Sequence, residues 1–266
     1  MALPRRQFLL KLITMVAVVL ALVLGMTIFF RVQNLRVTGN KKYDAKQVLA
    51  SSGLEEGESL LALNKSKAAG QILEALPYVS EVQVGIKLPN TVTIDIVELE
   101  ITYAVEGPNE TWWLMDARGK LLEEVSKEEA MKHTHVVGIQ AEKPVAGATL
   151  QVTQKDQEDT KEQNSADIAN TVGFAQNRME AAISILKALE ESDRTGKATK
   201  VDVSSLYDLQ IWYGEKYQIL LSGATDLEYK IRYMVQAVDR LEADGYRGGT
   251  LDLSIKEAGK ATFTPW

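Results

Sequence analysis

From Leu12 to Phe30 the chain runs LITMVAVVLALVLGMTIFF, 19 residues without a formal charge. At about 1.5 Å per residue, a helix of that length spans roughly the 30 Å hydrocarbon core of a bilayer. The pattern then changes to alternation. RVQNLRVTGN switches between apolar and polar positions and predicts a strand that ends at the Gly39-Asn40 turn. DAKQVLASSG predicts a helix with Asp44 as its N-cap, Gly53 as its stop and Val48 and Leu49 on the buried face. NKSKAAGQILEALP predicts a second helix, capped by Asn64 and ended by Pro77, with Ala68, Ala69, Ile72, Leu73 and Leu76 on one side. EVQVGIK and TVTIDIVE alternate cleanly and predict two strands joined at Leu88-Pro89-Asn90, each covering a core with one face.

Beyond Leu99, ITYAVEGPNETWWLMDARGKLLEEV predicts strand, loop, strand, turn, strand, with Asp116-Ala117-Arg118-Gly119 as a tight connection. HVVGI, His135 to Ile139, reads as a short strand. QVTQKDQEDTKEQNSADIA is polar and predicts a solvated loop over about 151–167. Ile168, Val172, Ala175, Met179, Ala182, Ile183, Leu186 and Leu189 then recur at helical spacing. KVDVSSLYDLQIWYG and YQILLSG predict further strands. Thr225-Asp226-Leu227-Glu228 has the form of a capping box for a helix presenting Leu227, Ile231, Met234, Val235, Val238 and Leu241, which Gly245 stops. TLDLSIKEAGKATFTPW closes the chain as two alternating stretches around Ala258-Gly259.

Charge and composition narrow the function. Of 30 Lys and Arg residues, Arg5, Arg6 and Lys11 precede Phe30, leaving 27 against all 36 acidic residues, a net of −9. That balance excludes nucleic-acid binding through bulk positive charge. With no cysteine there is no thiolate nucleophile, disulfide or Cys-based metal site. RRQFLLK, Arg5 to Lys11, reads either as a twin-arginine export address or as the cytoplasmic footing of an anchor. The long apolar span and the absence of a small-x-small cleavage site at its end favour the anchor. A short N-terminal tail before one long body predicts N-in, C-out topology.

Catalytic groups are scarce. His133 and His135 would share a face if both lay on a strand, but a third ligand at fixed spacing is missing. Glu55, Glu56 and Glu58, and the pair Glu98 and Glu100, are candidates for paired carboxylates, with solvated faces as the preferred reading. Trp112, Trp113, Trp212, Tyr213 and Tyr217 fit either a stacking platform or core pairs of alternating strands, and the core is preferred. There is no nucleophile elbow, phosphate-binding Gly loop or H-E-x-x-H. The expectation is a non-enzyme with no catalytic, cofactor-binding or metal residues and no small-molecule substrate.

The order strand, helix, helix, strand, strand, together with LPYVSEVQV at Leu76 to Val84 and LPNTVTIDIVE at Leu88 to Glu98, resembles a POTRA domain. It is similar to that of the DivIB/FtsQ cell-division proteins, which also follows one membrane span. Trp112, Trp113, Asp116 and Gly119 stand where that family carries an aromatic pair and an Asp-x-x-Gly turn, and HVVGI and TLDLS extend the likeness. The resemblance implies an α+β chain: a single N-terminal transmembrane helix, a small βααββ POTRA domain, and a larger mixed β domain with two flanking helices. Its expected segments are a cytoplasmic tail 1–11, a span 12–30 seated in the lipid bilayer, a POTRA domain 31–99 and a β domain 100–266.

A strand at the end of a sheet has a free edge that accepts a partner strand, and the last alternating stretch is the candidate. The resemblance implies the same place. In the family this region receives an extended segment of FtsB or DivIC within a complex that also contains FtsL. Matched along DLSIKEAGKATFTP, the partner-binding residues are Ser254, Ile255, Ala258, Lys260, Thr262 and Phe263, the last where the family places an aromatic anchor. The alternative is that Ile255 and Phe263 simply pack the sheet. The implied function is a bitopic scaffold at the division septum that influences septal peptidoglycan synthesis. The rivals are a POTRA-bearing transport or assembly protein and an anchored cell-wall hydrolase.

Overall fold

The computed structural model describes residues 5–152, 165–192, 197–253 and 261–266. The chain is mixed α+β and divides into two compact units, Met1–Glu98 and Leu99–Trp266.

Unit 1 opens with α1, Arg5–Phe29, whose segment Phe8–Met26 is long and apolar enough to cross a membrane and is unburied throughout. The helix starts before Leu12 because Arg, Gln and Lys are good helix formers and nothing in Arg5–Lys11 stops it. Next come β1 (Asn34–Thr38), α2 (Ala45–Ser52), α3 (Lys65–Ala75), β2 (Val79–Lys87) and β3 (Thr91–Glu98). The sheet order is β1-β3-β2, with β1 parallel to β3 and β2 antiparallel to it. α2 is capped as its sequence requires. Asp44 accepts from the Gln47 N–H, Gln47 reaches back to the Asp44 N–H, and Gly53 takes the left-handed conformation. Val48, Ile72, Val79, Ile94 and Ile96 pack between the helices and the sheet.

Unit 2 is built on a nine-stranded sheet. Its strands are β4 (Tyr103–Glu106), β5 (Trp112–Met115), β6 (Leu121–Val125), β7 (Thr134–Gln140), β8 (Ala198–Asp202), β9 (Gln210–Tyr213), β10 (Tyr217–Leu220), β11 (Gly249–Asp252) and β12 (Thr262–Pro265). They lie in the order β12-β11-β10-β9-β8-β7-β4-β5-β6. Parallel pairs β4–β7, β7–β8 and β10–β11 make the sheet mixed. A short α4 (Lys127–Ala130) precedes β7, and α5 (Ser165–Glu191) and α6 (Leu227–Ala243) are the two long helices. The segment read as a polar loop over about 151–167 is partly ordered: Gln151 accepts from the Glu142 N–H, Val152 bridges to Ala141 and α5 begins at Ser165, while 153–164 lie outside the described residues. Ile185, Leu186 and Leu189 of α5 and Ile231, Met234 and Val238 of α6 join Val136, Val201, Ile211, Ile219 and Leu251 in one core.

The turn into β6 is held by Asp116, which is buried and accepts from the N–H groups of Arg118 and Lys120. The capping box expected at Thr225–Glu228 is absent. Asp226 adopts φ 55° and its side chain makes no cap hydrogen bond, because a capping side chain reaches its N–H only from an extended backbone. Instead Lys230 Nζ donates to the carbonyls of Ser222 and Gly223, tying the helix to the turn before it.

Candidate functional site

The sheet of unit 2 ends at β12, whose only neighbour among the described residues is β11. The pairing is antiparallel, Thr250 opposite Thr264 and Leu251 opposite Phe263. Gly249 and Leu253 donate their N–H groups to Lys216 and Leu220, toward β10, while Trp266 donates its own to the Gly248 carbonyl. Backbone groups alternate along a strand. Thr250 and Asp252 therefore face β12, Thr262 and Thr264 face β11, and the N–H and C=O of Phe263 point to the open edge. Pro265, which has no N–H, limits the donors that edge presents.

The Phe263 side chain is placed differently from its backbone. Its ring lies 5.1 Å from the Tyr246 ring, edge-on, and 6.3 Å from that of Tyr217, on the face that carries the core. Tyr217 is buried and donates its O–H to the Tyr246 carbonyl at 3.0 Å. Phe263 thus packs the sheet while its main chain is offered outward. On the opposite face, Trp266 stands 5.9 Å from Trp212 and donates its indole N–H to Thr250 Oγ1, and Lys200 Nζ lies 5.8 Å above the Trp212 ring. Of the six residues expected to bind a partner, Thr262 and Phe263 lie on this strand. Ser254, Ile255, Ala258 and Lys260 lie outside the described residues. Trp266 and Gly249 were not among the residues singled out from the sequence; the alternation Thr262, Thr264, Trp266 is the signal that places Trp266 on the face opposite Phe263.

Comparison with known proteins agrees on the chain's relationships. Residues 30–98 match the family model for the FtsQ-type POTRA domain. The cell division protein FtsQ of Corynebacterium glutamicum is 42% identical over 89 residues, covering 32% of this chain and 40% of that protein. The cell division protein DivIB of Clostridium acetobutylicum is 23% identical over 231 residues, 86% of this chain and 81% of that protein, and that of Clostridium tetani is 23% identical over 229. Residues 30–98 are thus similar to the FtsQ-type POTRA domain, and the chain as a whole is similar to cell division proteins of the DivIB and FtsQ type.

In this chain the groups considered for chemistry do not converge. His133 precedes β7 rather than lying on it; its Nδ1 is 2.9 Å from Thr102 Oγ1. His135 is on β7, with a buried Nδ1 that has no hydrogen-bond partner. Burial, and next Lys200 beside it, hold the imidazole below its ordinary pKa. The described residues contain no group of three or more His, Asp or Glu arranged to hold a metal. Glu55, Glu56, Glu58 and Glu100 are exposed.

Glu98 is not a solvated carboxylate. It is 9% exposed and accepts from the N–H groups of Lys41 (2.8 Å), Lys42 (2.6 Å) and Tyr43 (3.0 Å). Burial pulls its pKa up, but the three N–H donors together outweigh it and hold the carboxylate below the ordinary range. Tyr213 and Tyr217 are core residues, as the alternating pattern suggested.

Proposed function

We propose that this chain is a bitopic divisome scaffold, anchored by α1 with its N-terminus in the cytoplasm and both folded units outside. Its β domain receives an extended segment of an FtsB/DivIC-type partner along β12, in a complex that includes an FtsL-type protein. Through that complex it helps to control septal peptidoglycan synthesis carried out by other enzymes, and has no catalytic activity of its own. The observation that carries the reading is the outward-facing main chain of Phe263 on the terminal strand. An exposed strand edge offers hydrogen bonds to any extended segment, and neighbouring side chains then select which segment fits.

The test is depletion in the native host with cell length as readout, followed by complementation. Loss of the chain produces filaments, the full chain restores division, and a chain carrying Phe263→Glu does not. Normal division under depletion, or turnover of peptidoglycan by the purified folded units, overturns the proposal.

A further inference from the structure

The membrane-proximal end of unit 1 carries two exposed leucines that its core does not use. Outside α1, three large apolar side chains among the described residues of this unit are exposed: Leu61 at 64%, Leu88 at 67% and Val97 at 54%. The topology separates them. β1 begins five residues after α1 ends, so its first residue is the one nearest the anchor along the chain. Because β3 is parallel to β1, with Thr91 beside Asn34, and β2 is antiparallel, the β2–β3 turn lies at the end of the sheet where the anchor leaves. Leu88 is in that turn. Val97, near the end of β3, is at the far end.

Backbone bonds fix both leucines there. Leu60 donates its N–H to the Phe30 carbonyl, and Val32 exchanges bonds with the same loop through the Glu58 carbonyl and the Gly57 N–H. Arg31 Nη1 adds a bond to the Gly57 carbonyl. Gln33 and Asn34 both donate to the Asn90 carbonyl, and Asn90 Nδ2 donates to Gln33 Oε1. The loop carrying Leu61 and the turn carrying Leu88 are therefore tied to residues 30–34, directly beyond the span.

Distance places Leu61 in the headgroup layer, and the bonds of Asn90 to Gln33 and Asn34 keep Leu88 at the same end of the sheet. The span reaches Met26, and four further residues advance the chain about 6 Å if helical. The polar layer on each side of the hydrocarbon core is about 5–8 Å thick, so Phe30 falls within it. A residue paired across a strand spacing stands about 5 Å from its partner, which keeps Leu60, and hence Leu61, at that depth.

We propose that Leu61 and Leu88 seat the POTRA domain on the bilayer, each inserting its side chain into the boundary between headgroups and acyl chains. The inference rests on α1 spanning the membrane. The contact is apolar: the loop that carries Leu61 also carries the exposed carboxylates Glu55, Glu56 and Glu58, so anionic lipid is not required. Its consequence is orientation, because two inserted points beside one anchor hold the domain upright where a flexible tether does not.

The chain contains no cysteine, so single labels report single sites. Full-length protein carrying Leu61→Cys, Leu88→Cys, Val97→Cys or Leu20→Cys, labelled with an environment-sensitive fluorophore, is reconstituted into phosphatidylcholine nanodiscs containing spin-labelled lipid. The labels at positions 61 and 88 are expected to emit to the blue of that at 97 and to be quenched by shallow spin labels. The label at position 20 is quenched by deep ones. Emission at 61 and 88 matching position 97, with position 20 still quenched, overturns the seating alone and points to a protein partner for these leucines. An unquenched position 20 overturns the spanning reading and the seating with it.

Discussion

The ring of Phe263 lies so close over Gly249 that a β-carbon there would stand 2.5 Å from it. The edge strand is therefore fastened by a residue that has no side chain. Gly249→Val is expected to displace Phe263 and loosen β12, with an overpacking cost of about 1–3 kcal/mol. Amide hydrogen exchange would show Thr262 and Thr264 losing protection while Ile211 and Ile219 keep theirs. Unchanged protection of β12 would contradict this packing role.

Glu98→Ala removes the acceptor shared by three backbone N–H groups. The expected loss is about 1–3 kcal/mol, the cost of leaving buried donors unpaired, localised to Lys41–Tyr43 and β1. The pH dependence follows from the direction of the shift. A carboxylate held below its ordinary range contributes stability that is complete above that range and is lost as pH falls through the folded value. Thermal unfolding followed between pH 6 and pH 3 should show unit 1 weakening below about pH 4.3, the ordinary Glu value, and Glu98→Gln should flatten that slope.

His135 predicts a second, separate acid response. Its half-buried imidazole is held below its ordinary pKa, so over a range of acid pH the unfolded chain takes up a proton that the folded chain refuses. Stability of unit 2 is complete above about pH 6.5 and falls as pH drops below that value, levelling once the folded imidazole is also protonated. His135→Gln should abolish this slope when melting is followed by Trp fluorescence; an identical slope in the variant would assign it elsewhere.

Gly138 adopts φ 96°, and a β-carbon there would meet the Ser204 backbone nitrogen at 2.2 Å. Gly138→Ala combines a disfavoured backbone with a clash between β7 and the segment after β8. The expected cost is about 2–5 kcal/mol, read as a lowered midpoint in chemical denaturation.

Local signals carried much of the fold. The Asp44 cap, the Gly53 stop and the alternation of EVQVGIK and TVTIDIVE each specify their element within a few residues, and the structure contains them. What could not be read locally depends on distant partners. The role of Glu98 is set by Lys41–Tyr43, more than fifty positions away, so its charge alone suggested a solvated residue. Thr225-Asp226-Leu227-Glu228 had the composition of a box but not the backbone, because Asp226, like Ser222 and Gly223 before it, takes a positive φ. Alternation in TFTPW indicated a strand; that Phe263 turns its ring to the core and its main chain outward emerges only when β11 is found between β10 and β12.

The central claim is that β12 accepts a partner strand, and binding of the two folded units, residues 31–266, to a purified FtsB/DivIC-type ectodomain tests it most directly. Affinity is measured by calorimetry, with amide exchange followed at Phe263 in the same samples. Binding is predicted to slow exchange of the Phe263 amide, and Phe263→Glu to weaken affinity at least tenfold, about 1.4 kcal/mol. Undiminished affinity of the Phe263→Glu protein, with the Phe263 amide exchanging as fast in the complex as alone, would contradict it.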